Sequence, residues 1–360
     1  MAMASKAKKV TLFIWIVLNI LSTITIFGFN LKLLEKIGLS YKQKSLLKIG
    51  HFCITDDELF IIPDYQEGNI KVYEKNEQVL KLVKIIGRKG YGPNEFARPA
   101  LCFYNKDENK FGVMDQGIRK IFIYDRIGRI EFKRIKEVSC LRGACDIQLV
   151  NNRLFISGFI FGPNGNPYDF YSVDLTNDQT FFLLPSSVKY DLASNNEYRN
   201  QYRDKCAIFD IYQDDAYFVW AGNLKVIKLN VVSGVVDTKG FGMQPPHYIK
   251  PYASQLQIEG RRTGNFNLPQ NGKMSFVRKI FVAPKYVLVI YEGPTKTYSV
   301  SNFKLQFYTL DGDFIREVSI PGQQNSKMWF DKDRDILYFP SAKVDSGDTS
   351  SYILKYEILI

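Results

Sequence analysis

Only two imidazoles occur in 360 residues, His51 and His247, so chemistry built on histidine has little to draw on. A Ser/His/Asp relay would need one of them beside a nucleophile, and no G-x-S-x-G frames a serine. Ser45-Leu46-Leu47-Lys48 matches S-x-x-K in form alone, inside a stretch that reads as a strand. Asp331-Lys332-Asp333-Arg334-Asp335 has the alternating carboxylates of a calcium loop but lacks the glycine and distal glutamate that complete one. It coincides with a turn that recurs along the chain, and the turn is the preferred reading. Five cysteines without a C-x-x-C leave no zinc set. Cys140 and Cys145 are close enough in sequence to pair, whereas Cys53, Cys102 and Cys206 sit in apolar runs where buried thiols are common. The odd number leaves at least one thiol free or paired between chains. The glycine-rich stretch from Gly87 to Gly92 could cradle a phosphate, but neither a following helix nor a G-K-[ST] ending accompanies it. No metal, cofactor or catalytic residue is assigned.

Recognition chemistry is more visible than catalytic chemistry. Two irregular stretches, 186–205 and 243–274, interrupt an otherwise regular body. The first carries Tyr198, Tyr202 and Arg203; the second carries His247, Tyr248, Tyr252, Arg261 and Arg262. Tyrosine and arginine are favoured interface residues, and long irregular segments in a compact repeat are usually functional or disordered. These eight side chains form the candidate interaction surface. The net charge is +11, from 48 Lys+Arg against 37 Asp+Glu. The lysines are scattered, with a bias towards the amino-terminal segment, and no basic stripe or recognition fold marks a nucleic-acid binder.

The elements that must position these residues read as strands. Hydrophobic residues make up 46% and aromatic residues 14%, which excludes a mainly disordered or collagenous chain and favours β-structure. Six segments share a polar turn followed by an apolar strand: TDDELFIIPD (55–64), NKDENKFGVMD (105–115), LVNNRLFISG (149–158), YQDDAYFVWAG (212–222), VAPKYVLVIYEG (282–293) and DKDRDILYFP (331–340). Each is followed by a second strand ending in IKVYE, IFIYD, FYSVD, VIKLN, LQFYTLD or YILKYE, then a hairpin and a further strand. Residues 49–360 divide into six units of 52 residues on average, or about 43 once the two irregular stretches are set aside. That length fits a four-stranded blade, and six such blades stacked radially bury faces that no single sheet can bury. The sixth unit ends at SYILKYEILI without a fourth strand. KQKSLLKI (42–49) is the spare strand expected to complete it and close the ring.

Ahead of the body, Val10 to Phe29 runs 20 residues without a charge, after Lys6, Lys8 and Lys9. As a helix it is about 30 Å long, the thickness of a bilayer's hydrocarbon core. It is longer than a secretory signal core and ends without a small-residue cleavage pattern or an acylatable cysteine, so it reads as an uncleaved signal-anchor, a cleaved signal being the alternative. Lys32, Lys36, Lys42 and Lys44 after the span place the body in the cytoplasm by lysine count. A short basic tail ahead of an apolar run is the usual start of an exported chain, and the reading favours the body outside the cytoplasm. The organisation expected is therefore a tail and transmembrane helix over 1–30, a basic linker and ring-closing strand over 31–48, and a six-bladed β-propeller over 49–360.

Gly87-Arg88-Lys89-Gly90-Tyr91-Gly92-Pro93-Asn94-Glu95-Phe96, followed by Pro99, resembles the G-x-x-G-x-G-P-x-E-F…P signature of NHL-like six-bladed β-propellers. The similarity is to the bacterial exported and lipoprotein members, and Met114-Asp115 with Ile121, Tyr124, Asp125 and Gly128 extends it. The chain departs from that family in having no lipobox cysteine and in its long insertions. The resemblance implies a propeller and no particular activity. Independently, Gly90 and Gly92 permit backbone angles closed to other residues, Pro93 fixes a turn, and Phe96 can plug the junction of two blades. The expectation is a membrane-anchored, extracytoplasmic propeller acting as a non-catalytic binding or scaffold subunit with protein partners. The alternative is a propeller enzyme, a metal-dependent lactonase, hydrolase or lyase, with its site in the central channel.

Overall fold

The computed structural model describes residues 30–39, 51–140, 144–187, 207–220, 223–248, 275–293, 301–322, 327–345 and 348–359. Within them the chain forms six four-stranded antiparallel sheets arranged as blades. Their first, innermost strands are Cys53–Ile54, Pro99–Asn105, Asp146–Val150, Ala207–Tyr212, Phe276–Val282 and Trp329–Asp331. All six polar-turn segments singled out in the sequence supply the second strands: Leu59–Asp64, Lys110–Asp115, Arg153–Phe161, Asp215–Trp220, Val287–Gly293 and Ile336–Asp345. The third strands follow at Asn69–Asn76, Lys120–Arg126, Pro167–Asp174, Asn223–Asn230, Ser301–Tyr308 and Asp348–Leu359. Blades 1 to 5 end in outer strands Val79–Ile86, Phe132–Ser139, Thr180–Pro185, Val236–Phe241 and Phe314–Gly322.

The second strands read as nearly unbroken apolar runs because both faces of each sheet are covered. In blade 1, Phe60 and Ile62 pack towards blade 6 while Ile61 packs towards blade 2. In blade 4, Ala216 and Phe218 face blade 3, whereas Tyr217 and Val219 face blade 5. Period-two alternation thus feeds two different cores from one strand. Among the described residues six apolar clusters result, one at each blade junction.

Closure of the ring corrects one expectation. The outer strand of blade 6 is Asn30–Leu39, not 42–49; the latter lies outside the described residues. Asn30–Leu39 runs antiparallel to Asp348–Leu359, with Asn30 opposite Leu359 and Gly38 opposite Tyr352. Its far end then pairs in parallel with the outer strand of blade 1, Gly38 opposite Val79 and Leu39 opposite Leu80. Blades 6 and 1 consequently form one continuous eight-stranded sheet. Ile37 is fully buried in the junction between them, beside Leu80, Tyr73 and Ile353. The propeller begins about 20 residues earlier than the predicted boundary at 49. No described helix is long and apolar enough to cross a membrane, and the apolar run 10–29 lies outside the described residues.

The glycine motif joins blade 1 to blade 2. Gly87 has φ +74°, and a Cβ there would come within 2.4 Å of the Phe96 ring. At Gly90 a Cβ would collide with the Glu95 carboxylate, which accepts from the Gly92 amide at 2.8 Å and from Arg88 Nε at 2.8 Å. The loop folds back so that Phe96, 1% exposed, inserts between the two sheets and meets Phe122 edge-on at 5.2 Å. Buried Asp115 completes the joint by accepting from the amides of Ala97, Arg98, Gly117 and Ile118 at 2.7–3.2 Å.

The amide of Gly38 donates to Gln78 O at 2.7 Å, a bond between the last blade and the first. Gly38→Pro removes that donor, and we expect a loss of about 1–3 kcal/mol of stability in chemical denaturation. Gly38→Ala keeps the donor and would place its methyl 3.5 Å from Gln78 O, an ordinary contact, so it should stay near wild type.

Candidate functional site: the axial cavity

The six innermost strands surround a cavity of about 540 Å³ that opens towards the hairpins joining first to second strands. Three lysine–carboxylate bridges span it, each between blades that are not neighbours. Lys279 of blade 5 reaches Asp146 of blade 3 at 2.5 Å. Lys332 of blade 6 reaches Asp210 of blade 4 at 2.7 Å. At the mouth, Lys106 of blade 2 reaches Asp333 of blade 6 at 2.6 Å.

Asp210 is the most heavily engaged of these groups and is 2% exposed. Its Oδ1 accepts from Lys332 Nζ at 2.7 Å, Gln148 Nε2 at 2.8 Å and the Ile211 amide at 2.9 Å. Its Oδ2 accepts from the Val282 amide at 2.6 Å. One carboxylate therefore ties blades 3, 4, 5 and 6 together across the axis. Lys332 also donates to Ile211 O at 3.1 Å.

The floor holds His51, whose Nε2 lies 2.8 Å from Lys327 Nζ. Burial, with the charges of Lys327 and Lys279, pushes the imidazole well below its usual pKa of 6.5, so it is neutral and accepts a hydrogen bond from the lysine. Burial and Lys279 pull Lys327 down to about 8, opposed by Asp146. Cys102 lines the wall, its thiol 3.7 Å from Ile61 O, and Phe281, Trp329 and Phe330 supply apolar surface.

This donor set fits a divalent cation poorly. Asp146 and Asp210 each already face an ammonium group, and a metal would have to displace it at a cost in charge repulsion. No group of three metal-ligating side chains converges among the described residues. The Asp331 to Asp335 segment behaves as a turn: Asp331 accepts from the amides of Asp333 and Arg334, while Asp335 accepts from Tyr286 Oη at 2.6 Å.

The predicted interaction residues fall elsewhere. Tyr198, Tyr202, Arg203, Tyr252, Arg261 and Arg262 lie outside the described residues. Both segments connect an outer strand to the next inner strand, and the described strand ends that flank them, Pro185 and Ala207, Phe241 and Phe276, are on one face of the disc. Tyr248 is a buried anchor, whereas His247 is hydrogen-bonded but 45% exposed. His247 Nε2 sits 2.7 Å from Tyr291 Oη and 3.2 Å from Glu317 Oε1, and Tyr291 Oη donates to Glu317 Oε2 at 2.7 Å. Tyr248 is 5% exposed and packs edge-on against Tyr291. The cysteines are also resolved: Cys140 is a free, buried thiol and Cys145 is disulfide-bonded, so the two do not pair with each other.

Sequence reasoning missed Asp146, Gln148, Asp210, Lys279 and Lys332 as a set. The available signal was a charge interrupting an apolar inner strand, as in AIFDIY and FVRKIFV, and nothing in one sequence says that two such charges meet across an axis.

The fold and this cross-linked channel define a six-bladed β-propeller. The chain belongs to the family DUF5128, described as a 6-bladed beta-propeller, whose model matches residues 27–228. It is similar in structure to a DUF4221 member from Bacteroides vulgatus, with a TM-score of 0.66 at 13% identity over 91% of this chain and 98% of that one. A "Putative exported protein" from Bacteroides fragilis gives 0.59 at 13% identity, over 90% and 94%. A glutamate–tRNA ligase of Buchnera aphidicola is 26% identical over 156 residues, 38% of this chain. The chain spans only 33% of that enzyme's length, and the match carries no activity to it.

Asp210→Asn replaces one acceptor with an amide group that must face one of four donors, and it leaves Lys332 without its counter-charge. We expect a loss of roughly 3 kcal/mol in chemical denaturation. His51 gives a pH signature. As pH falls below about 6.5 the unfolded chain takes up a proton that folded His51 refuses, so this group subtracts stability on the acid side. Thermal unfolding of wild type should fall more steeply than that of His51→Gln below pH 6.5, and the two should run parallel above it.

Proposed function

We propose that this protein is a non-catalytic binding or scaffold subunit of a cell envelope, a propeller held at the membrane by its amino-terminal apolar run with the disc outside the cytoplasm. The observation that carries the non-catalytic reading is the charge matching of the channel. Asp146 and Asp210 are each engaged by a lysine from across the axis, so neither is left as a general base or a metal ligand. A metal-dependent lactonase, hydrolase or lyase in the channel would need those carboxylates uncommitted. Export is supported by the disulfide at Cys145, which fits an oxidising compartment, and by the similar fold of the Bacteroides fragilis protein.

Binding would then be carried by surface presented on a rigid disc. The second insertion leaves the rim from a fixed root, His247 and Tyr248 held on blade 5, so whatever follows is displayed from a defined position. The test is the native mass of the full chain extracted from its own membrane in mild detergent, with co-purifying chains identified. A stoichiometric assembly that is lost on deletion of residues 249–272, beyond the anchoring pair, is the expected result. A lone 41.6 kDa species in its detergent belt would overturn the subunit reading.

A further inference from the structure

Charge is distributed unevenly around the rim. The outer strands of blades 6, 1 and 2 carry seven basic residues, Lys32, Lys81, Lys84 and Lys133 among them, against two acidic ones, Glu35 and Glu137. The outer strands of blades 3, 4 and 5 carry two of each: Lys239 and Arg316 against Asp237 and Glu317. The two acids on the basic side are already met, Glu35 by Lys75 at 2.5 Å and Glu137 by Lys120 at 2.8 Å.

Exposed apolar side chains follow the same division. Leu33, Leu34, Val79, Ile85 and Ile135 on the basic outer strands are 41–53% exposed. On the other three outer strands only Phe314, at 39%, is a comparably exposed large apolar residue among those described. Lysines interspersed with exposed leucine, isoleucine and valine are the composition of a surface that lies in an anionic headgroup layer.

The covalent chain points to the same place. The uncharged run ends at Phe29, and Asn30 is already paired with Leu359 in blade 6. No linker separates the apolar run from the rim. We propose that the rim of blades 6, 1 and 2 lies on an anionic bilayer surface, so that the propeller stands edge-on to the membrane. This rests on the anchoring reading above and adds an orientation to it.

A disc lying flat on its hairpin face is the competing arrangement, and charge opposes it. The hairpins between first and second strands carry eight acidic residues, Asp56, Asp57, Asp107, Asp214 and Asp333 among them, against four basic ones, and an anionic surface would repel that excess. Edge-on, the mouth of the axial cavity and the opposite face of the disc stay open to partners.

The experiment uses the full chain in nanodiscs of phosphatidylcholine, with or without about 30 mol % phosphatidylglycerol, and in detergent. An amine-acetylating reagent followed by peptide mass spectrometry reads each lysine. We expect Lys81, Lys84 and Lys133 to react at least about fivefold more slowly in the anionic discs than in detergent, with the difference lost in about 0.5 M salt. Lys239 on the far rim, and Lys225 beside it on the third strand of blade 4, should each react at the same rate in all conditions. Lys81→Glu/Lys84→Glu should stay in the disc yet restore the reactivity of Lys133. Equal reactivity of both rims while the protein remains disc-bound overturns the edge-on contact and leaves the anchor intact. Elution apart from the discs overturns the anchor and the contact together. Protection in detergent that is absent in anionic discs overturns the lipid contact in favour of an acidic protein partner.

Discussion

A propeller exists only if its last sheet meets its first, and here ten residues from the amino-terminal end of the body make that meeting. Asn30–Leu39 completes blade 6 along its length and then, through Gly38 and Leu39, pairs with blade 1. Without it, blade 6 would end as three strands and the junction holding Ile37, Leu80 and Ile353 would open to water. Each remaining blade buries its faces against two neighbours, so the loss would propagate through the ring. The same strand follows the apolar run directly in sequence, so the proposed attachment and the closure of the fold share one covalent segment.

The axis is the second place where the ring is held. Neighbouring blades share apolar clusters, but Asp146–Lys279, Asp210–Lys332 and Lys106–Asp333 join blades that share none. Removing charged side chains from water is expensive, and here the cost is offset by saturation: Asp210 accepts four hydrogen bonds from four blades. A core held this way is specified in geometry, and its carboxylates are occupied by structure. That is the physical basis for the proposal that recognition, if the protein binds partners, uses the outer surface.

Much of the fold was legible because blade architecture writes itself into local pattern. A strand with both faces buried must be apolar throughout, and a tight turn before it must tolerate unusual backbone angles; LFII and AYFVW, after turns in which Glu58 and Gln213 take φ of +58° and +55°, meet both conditions. The glycine motif was legible for the same reason, since Gly87 and Gly90 are demanded by the close approach of Phe96 and Glu95. The closing strand was misplaced because NLKLLEKIGL and KQKSLLKI carry similar patterns, and only pairing with Asp348–Leu359 distinguishes them. The channel was illegible because its pairs join residues 122 and 133 positions apart, a relation with no local signature. Tyr248 was chosen for its residue type, which suits a buried anchor as well as an interface.

Ring closure by Asn30–Leu39 is the claim on which the stability of the disc and the proposed attachment and orientation all depend. Native-state hydrogen exchange of the full chain tests it most directly, amide by amide along that strand. The account predicts that the ladder-bonded amides of Asn30–Leu39 exchange only through global unfolding, with the same opening free energy as the ladder-bonded amides of the inner strand Ala207–Tyr212. Exchange of that strand by local fraying, while the inner strands remain protected, would contradict it.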